Sequence, residues 1–391
     1  MPDNLALYVL FVVALGIGFL FGRRERRKKP RDLGMIAEDY FRGLNHLLNE
    51  RHDLAIDTFV ESMAVDSNTV DTHLALGTLV RRRGEVDKAI RIHQNLLARP
   101  VLSTNHRNQT ELELARDYLV AGLLGRAENL LLELTAKNGA EKQIANELLL
   151  EIYQREREWD KAVQIGWELA KQDRSIRNQL AHFQCELAEL TLQKGDLRGA
   201  RAHLSRGSEF DNQCARLSLI AAKVEYESKR YREVRRSLRK ACQQDPSLAQ
   251  ECLELFRQAS LELDDEAGYV AFLRECLEST PILSVIEALG EYIVGEQGEE
   301  EARNLVVEQL LRNPSLGGFV TLLQHLDRAG EALPAEQLAL VLRFSQSLLH
   351  RQPSYRCKNC GFSGKTLMWQ CPSCRSWGTI KPIVRDEGET I

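Results

Sequence analysis

The chain has 391 residues, of which 43% are hydrophobic and 28% charged, and its net charge is −4. These proportions are ordinary for a folded protein and argue against bulk disorder. Setting aside the −1 of Asp3 and the +6 of residues 23–31 leaves a net charge of −9 on residues 32–391. Because this body is acidic, a nucleic-acid partner is not expected.

Residues 5–22 contain no charged side chain and predict a single transmembrane helix. At about 1.5 Å per residue, a helix of this length spans roughly 27 Å, enough for a thin bilayer core. Seven basic side chains follow within residues 23–31, so the positive-inside rule predicts that the rest of the chain lies in the cytoplasm. A secretory signal would carry its charges before the apolar stretch. A buried core helix is the alternative, which the adjacent basic block disfavours.

We therefore predict a transmembrane anchor at residues 1–22 and a basic linker at residues 23–34. The linker is expected to contact anionic lipid headgroups, at roughly 1 kcal/mol per basic residue. Most of the protein would then lie on the cytoplasmic side of the membrane.

Pairs of small residues twelve positions apart recur through residues 35–352 and predict helical hairpins. The pairs are Gly43/Ala55, Gly77/Ala89, Ala115/Ala127, Ala188/Ala200 and Gly290/Ala302. Two antiparallel helices approach closely only where neither carries a large side chain. The second-helix positions follow at steps of 33 to 38 residues: Ala55, Ala89, Ala127, Ala162, Ala200, Val234, Ala267 and Ala302. This period, close to 34 residues, predicts an all-α tetratricopeptide-repeat superhelix.

Glycines in the predicted turns support the same arrangement. Gly84, Gly122 and Gly195 each lie five residues before the second small position, where a positive φ angle costs glycine least. Three larger residues interrupt the pattern: Leu150, Leu255 and Val234. The fourth, sixth and seventh repeats are therefore degenerate, and the seventh is alternatively a helical pair outside the repeat pattern.

No catalytic constellation is present in the sequence. It lacks a His-Glu-x-x-His motif, a phosphate-binding glycine loop followed by lysine, and a nucleophile elbow. Isolated histidines such as His93 and His182 are expected to be structural. We predict a protein that is not an enzyme and whose concave repeat surface binds peptides or partner proteins. A helix with seven basic residues between Lys229 and Lys240 is predicted to be a solvated face, with a clamp for an acidic partner segment or a membrane contact as alternatives.

Four of the nine cysteines form two Cys-x-x-Cys pairs and predict a metal knuckle within residues 353–391. The pairs are Cys357/Cys360 and Cys371/Cys374, separated by ten residues. Each short turn presents two sulfurs, so the four thiolates can surround one ion tetrahedrally. No His, Asp or Glu lies between the pairs, which predicts a closed structural site for one ion of zinc or iron.

The residues around these pairs fit a very small domain. Gly361 and Pro372 suit the two turns, and a miniature core is predicted from Tyr355, Phe362, Trp369 and Trp377. Since so short a segment buries little surface, the metal is expected to supply most of its folding free energy. The other five cysteines have no metal-ligand spacing and are expected to be small buried apolar residues: Cys185, Cys214, Cys242, Cys252 and Cys276.

The order of anchor, basic block, repeat array and terminal Cys-x-x-Cys-Gly and Cys-Pro-x-Cys motifs resembles the lipopolysaccharide assembly protein B family of Gram-negative bacteria. The resemblance covers essentially the whole chain. It implies an inner-membrane regulator of lipopolysaccharide synthesis that acts with the membrane-bound AAA+ protease FtsH. That regulator promotes degradation of LpxC, the deacetylase that commits precursor to lipid A. The family's metal ligands would be Cys357, Cys360, Cys371 and Cys374.

Two alternative functions remain at this stage. The first is a scaffold that assembles lipopolysaccharide synthesis and export proteins without controlling proteolysis. The second is a redox or electron-transfer protein with iron in the knuckle, although no further cofactor or substrate motif accompanies it.

Overall fold

The computed structural model describes residues 42, 45–46, 58, 70–100, 102–137, 139–280, 282–313, 315–329, 341–343, 345–346, 350 and 352–383. The predicted anchor, the basic linker and the pair Gly43/Ala55 lie outside these residues. Within the described ranges, no helix is both long enough and apolar enough to cross a membrane.

The described ranges form a succession of α-helices followed by a small sheet. The helices are α1 (Val70–Arg82), α2 (Val86–Leu97), α3 (Thr104–Val120), α4 (Leu124–Ala136), α5 (Lys142–Glu156), α6 (Trp159–Ala170), α7 (Ile176–Gln193), α8 (Leu197–Phe210), α9 (Ala215–Glu227), α10 (Tyr231–Gln244), α11 (Ala249–Leu261), α12 (Glu266–Ser279), α13 (Leu283–Glu296), α14 (Glu299–Arg312) and α15 (Leu316–Ala329). A short 3-10 helix, Pro246–Leu248, precedes α11.

The chain divides into two compact units, Met1–Ile152 and Tyr153–Ile391. In the first unit, α1 to α4 pack consecutively, and α1 also contacts α3. In the second unit, consecutive helices from α6 to α15 pack together, and α7, α9, α11, α13 and α15 also contact one another in sequence. This alternation, in which the first helices of successive hairpins form one layer, is the stacking expected for helical-hairpin repeats.

The small residues lie where the sequence predicted close helix contacts. All members of the four described pairs are buried: Gly77, Ala89, Ala115, Ala127, Ala188, Ala200, Gly290 and Ala302. At Gly77 the fit excludes even a methyl group, because an added Cβ would lie 2.4 Å from His93 Nε2. The His93 ring is itself held by Asp117, whose Oδ2 lies 2.6 Å from its Nδ1. Gly77 therefore lies at a close helix contact, as predicted, although the side chain that meets it is His93.

Six hairpin turns share one backbone conformation. Gly84, Gly122 and Gly195 have positive φ angles of 88°, 75° and 78°, as predicted. Arg157, Lys229 and Asp264 occupy the same place in three other turns, with φ angles of 58°, 56° and 51°. In each turn the following N–H donates to a carbonyl five residues earlier, as from Glu85 to Val80, which satisfies a free carbonyl at the end of the first helix.

The left-handed residue Asp264 corrects the register of the seventh repeat. The position five residues after it is Tyr269, whereas the sequence pattern predicted Ala267. Ala267 is exposed near the start of α12, whereas Tyr269 is partly buried with its ring 6.2 Å from that of Phe256. The prediction of Ala267 was therefore wrong by two residues, because an aspartate occupies the turn position and gives no glycine signal.

A large apolar cluster of the second unit lies among α9 to α13, where the rings of Phe256 and Phe272 stack at 3.9 Å. After the helices, the chain forms a three-stranded antiparallel sheet in the order β2-β1-β3. Its strands are β1 (Tyr355–Cys357), β2 (Ser363–Gly364) and β3 (Ile380–Pro382). This sheet carries the predicted knuckle.

Candidate metal centre and its contact with the helices

The four predicted ligands converge on one point. All four sulfur atoms lie within 4.8 Å of one another. Sγ of Cys357 is 3.7 Å from Sγ of Cys374, and Sγ of Cys360 is 3.6 Å from Sγ of Cys371. A tetrahedral ion with metal–sulfur bonds of about 2.3 Å requires sulfur separations of about 3.8 Å. The thiols therefore fit one four-coordinate ion, and both zinc and iron accept this donor set.

Two turns of equal geometry present the sulfurs. In the first, the Gly361 N–H donates to the carbonyl of Cys357 (2.9 Å), and in the second the Arg375 N–H donates to the carbonyl of Cys371 (2.8 Å). Gly361 and Arg375 have positive φ angles of 78° and 58°. Glycine holds the left-handed position in the first turn, where the sequence predicted a turn glycine, whereas arginine holds it in the second.

The surroundings of Cys371 and Cys374 shift the pKa values of these two thiols in opposite directions. Burial raises the pKa of Cys371 to about 11. The Ser376 hydroxyl lies 3.4 Å from Cys374 Sγ, and its hydrogen bond to the thiolate lowers the pKa of Cys374 to about 5. Since metal ligands must be thiolates, an ion that binds here displaces a proton from Cys371 at neutral pH.

The interior of the knuckle differs from the predicted miniature core. Its buried residues are Tyr355, Cys357, Cys371 and Ile380, with Phe362 packed beside them. Tyr355 and Phe362 thus confirm half of the prediction. Trp369 and Trp377 do not belong to this cluster, because both rings pack against helices of the array.

Trp377 lies in an aromatic cluster at the base of the knuckle. Its ring centroid is 6.0 Å from Trp159, 5.7 Å from Phe183 and 5.2 Å from His182. Its indole N–H donates to Gln154 Oε1 at 3.1 Å. Only 8% of Trp377 is exposed. The contact therefore buries its apolar ring and also gives its indole N–H a hydrogen-bond partner.

Trp369 covers a buried arginine. The guanidinium carbon of Arg216 lies 5.4 Å from the Trp369 ring centroid, and only 3% of Arg216 is exposed. Arg216 Nη2 donates to Glu186 and Glu189, both at 2.8 Å. Its Nε and Nη1 have no hydrogen-bond partner within the described structure, so the aromatic face is the contact that offsets their desolvation.

Two polar contacts join the strands to the helices. The Tyr355 hydroxyl donates to Glu251 at the start of α11, and Lys381 pairs with Asp245 at the end of α10. Burial opposes ionisation of Asp245, but the hydrogen bond from Lys381 prevails and lowers the pKa of Asp245. The knuckle is thus held by apolar and charged contacts together, within the second unit.

His182 is buried at this junction. Its ring is 5.2 Å from Trp377 and 6.0 Å from Trp369, and its Nδ1 has no hydrogen-bond partner within the described structure. Burial, followed by the positive charges of Arg216 and Lys381, lowers the pKa of His182 to about 3. It therefore packs as a neutral ring, in agreement with the structural role expected from the sequence.

A cleft of about 390 Å³ opens where the knuckle meets the helices. The knuckle contributes Leu367 and Trp369, and the facing helices contribute apolar Leu219 and Leu255. Glu189, Arg216, Lys223, Glu251, Glu254 and Gln258 add polar groups to the lining. The cleft therefore combines an apolar wall with charges of both signs.

Sequence reasoning predicted the four cysteines that the structure brings together, but it missed the surface that receives the knuckle. Gln154, His182 and Arg216 lie on three different helices, and none has a spacing that relates it to the cysteines. The remaining cysteines follow the prediction: Cys185, Cys214, Cys252 and Cys276 are buried, and Cys242 is half-buried.

Comparisons with known proteins agree with this description. Residues 355–382 match the family described as a rubredoxin metal binding domain. Lipopolysaccharide assembly protein B of Escherichia coli K12 is 36% identical over 96% of this chain and 97% of its own length. The Haemophilus influenzae protein of the same name is 31% identical over 97% of this chain and 98% of its own length.

A solved structure, the C-terminal part of a TPR repeat-containing protein from Cytophaga hutchinsonii, covers 62% of this chain and 96% of its own, with 13% identity and a TM-score of 0.37. The two full-length relatives decide the assignment. The chain belongs to the lipopolysaccharide assembly protein B family.

Proposed function

We propose that this protein takes part in lipopolysaccharide assembly, as the name of its relatives states for them. More specifically, we propose a membrane-anchored, non-enzymatic adaptor that brings LpxC to the protease FtsH and thereby shortens the lifetime of LpxC. Other lipopolysaccharide synthesis or export proteins are further candidate partners.

The observation that carries the adaptor proposal is the joint surface of knuckle and helices. Trp369 forms one wall of the cleft beside the helices, and its backbone lies two residues before the ligand Cys371. An apolar side chain of a partner segment fits against Leu367 and Trp369, while the surrounding charges bind its polar flanks. One metal ion held by Cys357, Cys360, Cys371 and Cys374 would keep this wall in place.

The anchor gives the adaptor its location. Residues 1–22 would hold the protein in the inner membrane, with the basic linker on anionic headgroups and the rest in the cytoplasm. Confinement near a membrane protease raises the effective concentration without adding a contact. Deletion of residues 1–31 at native expression level should therefore prolong the lifetime of LpxC while the helical fold is retained.

The deciding experiment measures the lifetime of LpxC after protein synthesis is blocked. Cells would contain the natural protein, no protein, Cys371→Ser or Ser373→Ala. Ser373 is exposed in the same turn as Cys371 and is not a ligand, so Ser373→Ala is the matched control. We expect depletion and Cys371→Ser to prolong the lifetime equally, and Ser373→Ala to leave it short.

Equal lifetimes in all four strains would refute the adaptor proposal. The scaffold alternative predicts that result, together with lipopolysaccharide synthesis enzymes that co-purify with the protein. A short lifetime with Cys371→Ser but a long one on depletion would separate the knuckle from the adaptor function.

A further inference from the structure

One face of α10 forms a positively charged stripe. Six polar side chains line an open groove of about 480 Å³ there, and we call them the basic stripe: Arg232, Arg235, Arg236, Arg239, Lys240 and Gln243. Their spacing follows the turns of a single helix, so they share one face. From Arg232 to Gln243 the stripe is roughly 16 Å long, at about 1.5 Å per residue.

Two arginines of the stripe are held in place by contacts with neighbouring residues of the second unit. The guanidinium carbons of Arg235 and Arg239 lie 5.3 and 5.2 Å from the Phe256 ring centroid. Arg235 pairs with Asp265 at 2.5 Å, and Arg239 pairs with Glu275 at 3.1 Å. These contacts order two planar groups, and an ordered guanidinium binds a further carboxylate at a lower entropic cost.

The other three cations carry the surplus charge. Arg232, Arg236 and Lys240 are exposed and follow one another at four-residue spacing along the helix. Among the described residues, Arg232 and Lys240 form no ion pair, and Arg236 reaches only Glu233, at 3.8 Å. Like charges at this spacing repel one another, so an anionic occupant would relieve the stripe.

The structure fixes where the chain leaves the knuckle. The Ile383 N–H donates to the carbonyl of Ser354 (2.9 Å), and Lys381 pairs with Asp245, the residue that follows α10. The last described residues of the knuckle therefore lie close to the C-terminal end of the helix that bears the stripe.

The residues that follow are acidic. Residues 384–391 contain Asp386, Glu387 and Glu389, with Arg385 as their one base. The six steps from Ile383 to Glu389 span at most about 20 Å when extended, which is comparable to the length of the stripe. Opposite charges attract, so the basic stripe is complementary in charge to this acidic segment.

We propose that residues 384–391 bind along the basic stripe through the carboxylates of Asp386, Glu387 and Glu389. The stripe is then an anion-binding surface with a resident acidic segment, which an acidic segment of another protein must displace. This inference goes beyond the adaptor proposal and does not depend on it.

Zero-length cross-linking tests the contact in the full-length protein. A carbodiimide joins a lysine amine to a carboxylate that touches it, and Lys240 is the stripe's one amine. We expect a cross-linked peptide that joins Lys240 to Asp386, Glu387 or Glu389. It should weaken at high salt, since exposed pairs are screened. The Lys171–Glu168 pair, at 2.7 Å, provides an internal positive control.

Two controls make the result decisive. Lys240→Arg keeps the charge but removes the amine, so the tail cross-link should vanish while the Lys171 cross-link remains. Mixing isotope-labelled and unlabelled protein identifies cross-links between molecules. Absence of the tail cross-link beside an intact control would overturn the proposal. A Lys240 cross-link to another segment, or one of mixed isotope composition, would do the same by assigning the stripe to another occupant.

Competition gives a second, independent test. A fluorescent peptide with the sequence of residues 384–391 would be titrated against the full chain and against the triple variant Asp386→Asn, Glu387→Gln, Glu389→Gln. A tethered segment competes at an effective concentration on the order of millimolar, so we expect about fivefold tighter binding to the variant. Adding Arg232→Gln, Arg236→Gln and Lys240→Gln should abolish that gain. Equal affinities for the natural chain and the triple variant would contradict the proposal.

Discussion

The helical hairpins and the knuckle are stabilised over very different distances along the chain. In the hairpins, close contacts join adjacent helices, as between Gly77 and His93, and each turn closes through its own backbone. The knuckle instead contacts partners far along the chain: Trp377 bonds Gln154 across 223 positions, and Tyr355 bonds Glu251 across 104. The hairpins therefore depend on local sequence, whereas the knuckle depends on a metal and on a surface assembled by other helices.

Metal removal should have the largest effect on stability, since it should unfold the knuckle and leave the helical hairpins folded. Structural zinc contributes about 10 kcal/mol or more to folding of small domains. Chelation, or Cys371→Ser, should therefore unfold the knuckle and expose Trp369 and Trp377, which shifts tryptophan emission to longer wavelength. The far-UV circular dichroism should keep most of its helical signal, and Ser373→Ala should behave like the natural protein.

A parallel loss of the helical signal would contradict this separation. It would show that the hairpins of the second unit need the knuckle as much as the knuckle needs them.

The same contrast explains what the sequence could predict. The convergence of Cys357, Cys360, Cys371 and Cys374 could be predicted because metal coordination demands a fixed local spacing. Trp369 and Trp377 were predicted to face inward, since a tryptophan beside a metal site shows only that it needs burial. The residues that these tryptophans contact, among them Arg216 and His182, are brought together only by the folding of several helices of the array.

The turns give a second example. Left-handed positions were predicted where glycine occupies them, as at Gly84 and Gly122. At Asp264 and Arg375 the same conformation is imposed by the flanking hydrogen bonds, and residue type carries no signal. The error of two residues at Ala267 has this origin, because a missing turn marker shifts the register of the following helix.

Acidification should weaken the junction through His182. Burial lowers its folded pKa to about 3, beside Arg216 and Lys381, whereas an unfolded histidine titrates near 6.5. The stability from the neutral ring is fully present above pH 6.5 and is lost as the pH falls from there toward 3. Between pH 7 and 5 the expected loss is about 2 kcal/mol.

Urea unfolding, followed by tryptophan fluorescence at pH 7 and pH 5, measures this loss. His182→Phe keeps an aromatic ring without a titrating group, so its stability should fall less over the same interval. Protonation of the metal ligands affects both proteins and cancels in the comparison. An equal loss in the two proteins would assign the acid sensitivity to another group.

Substitutions at three glycines of the first unit test the local contacts of the hairpins, and their expected changes in stability are smaller. Gly77→Ala places a methyl group 2.4 Å from His93 Nε2, whose ring Asp117 holds, so overpacking should cost about 2 kcal/mol. Gly84→Ala meets open space but has a φ of 88°, which should cost about 1 kcal/mol. Gly125→Ala meets open space at the start of α4, so it should stabilise by about 0.5 kcal/mol.

Hydrogen exchange of the backbone amides in α1, α2 and α4 measures each change where it occurs. The sign is the discriminating result, because the lower chain entropy of alanine in the unfolded state alone would make all three alanines stabilising. If Gly77→Ala slowed exchange in α1 and α2, the His93 ring would have moved aside, and close contact would not be the reason for glycine at this position. If it accelerates exchange there while Gly125→Ala slows exchange in α4, the hairpin is specified by the fit between Gly77 and the ring that covers it.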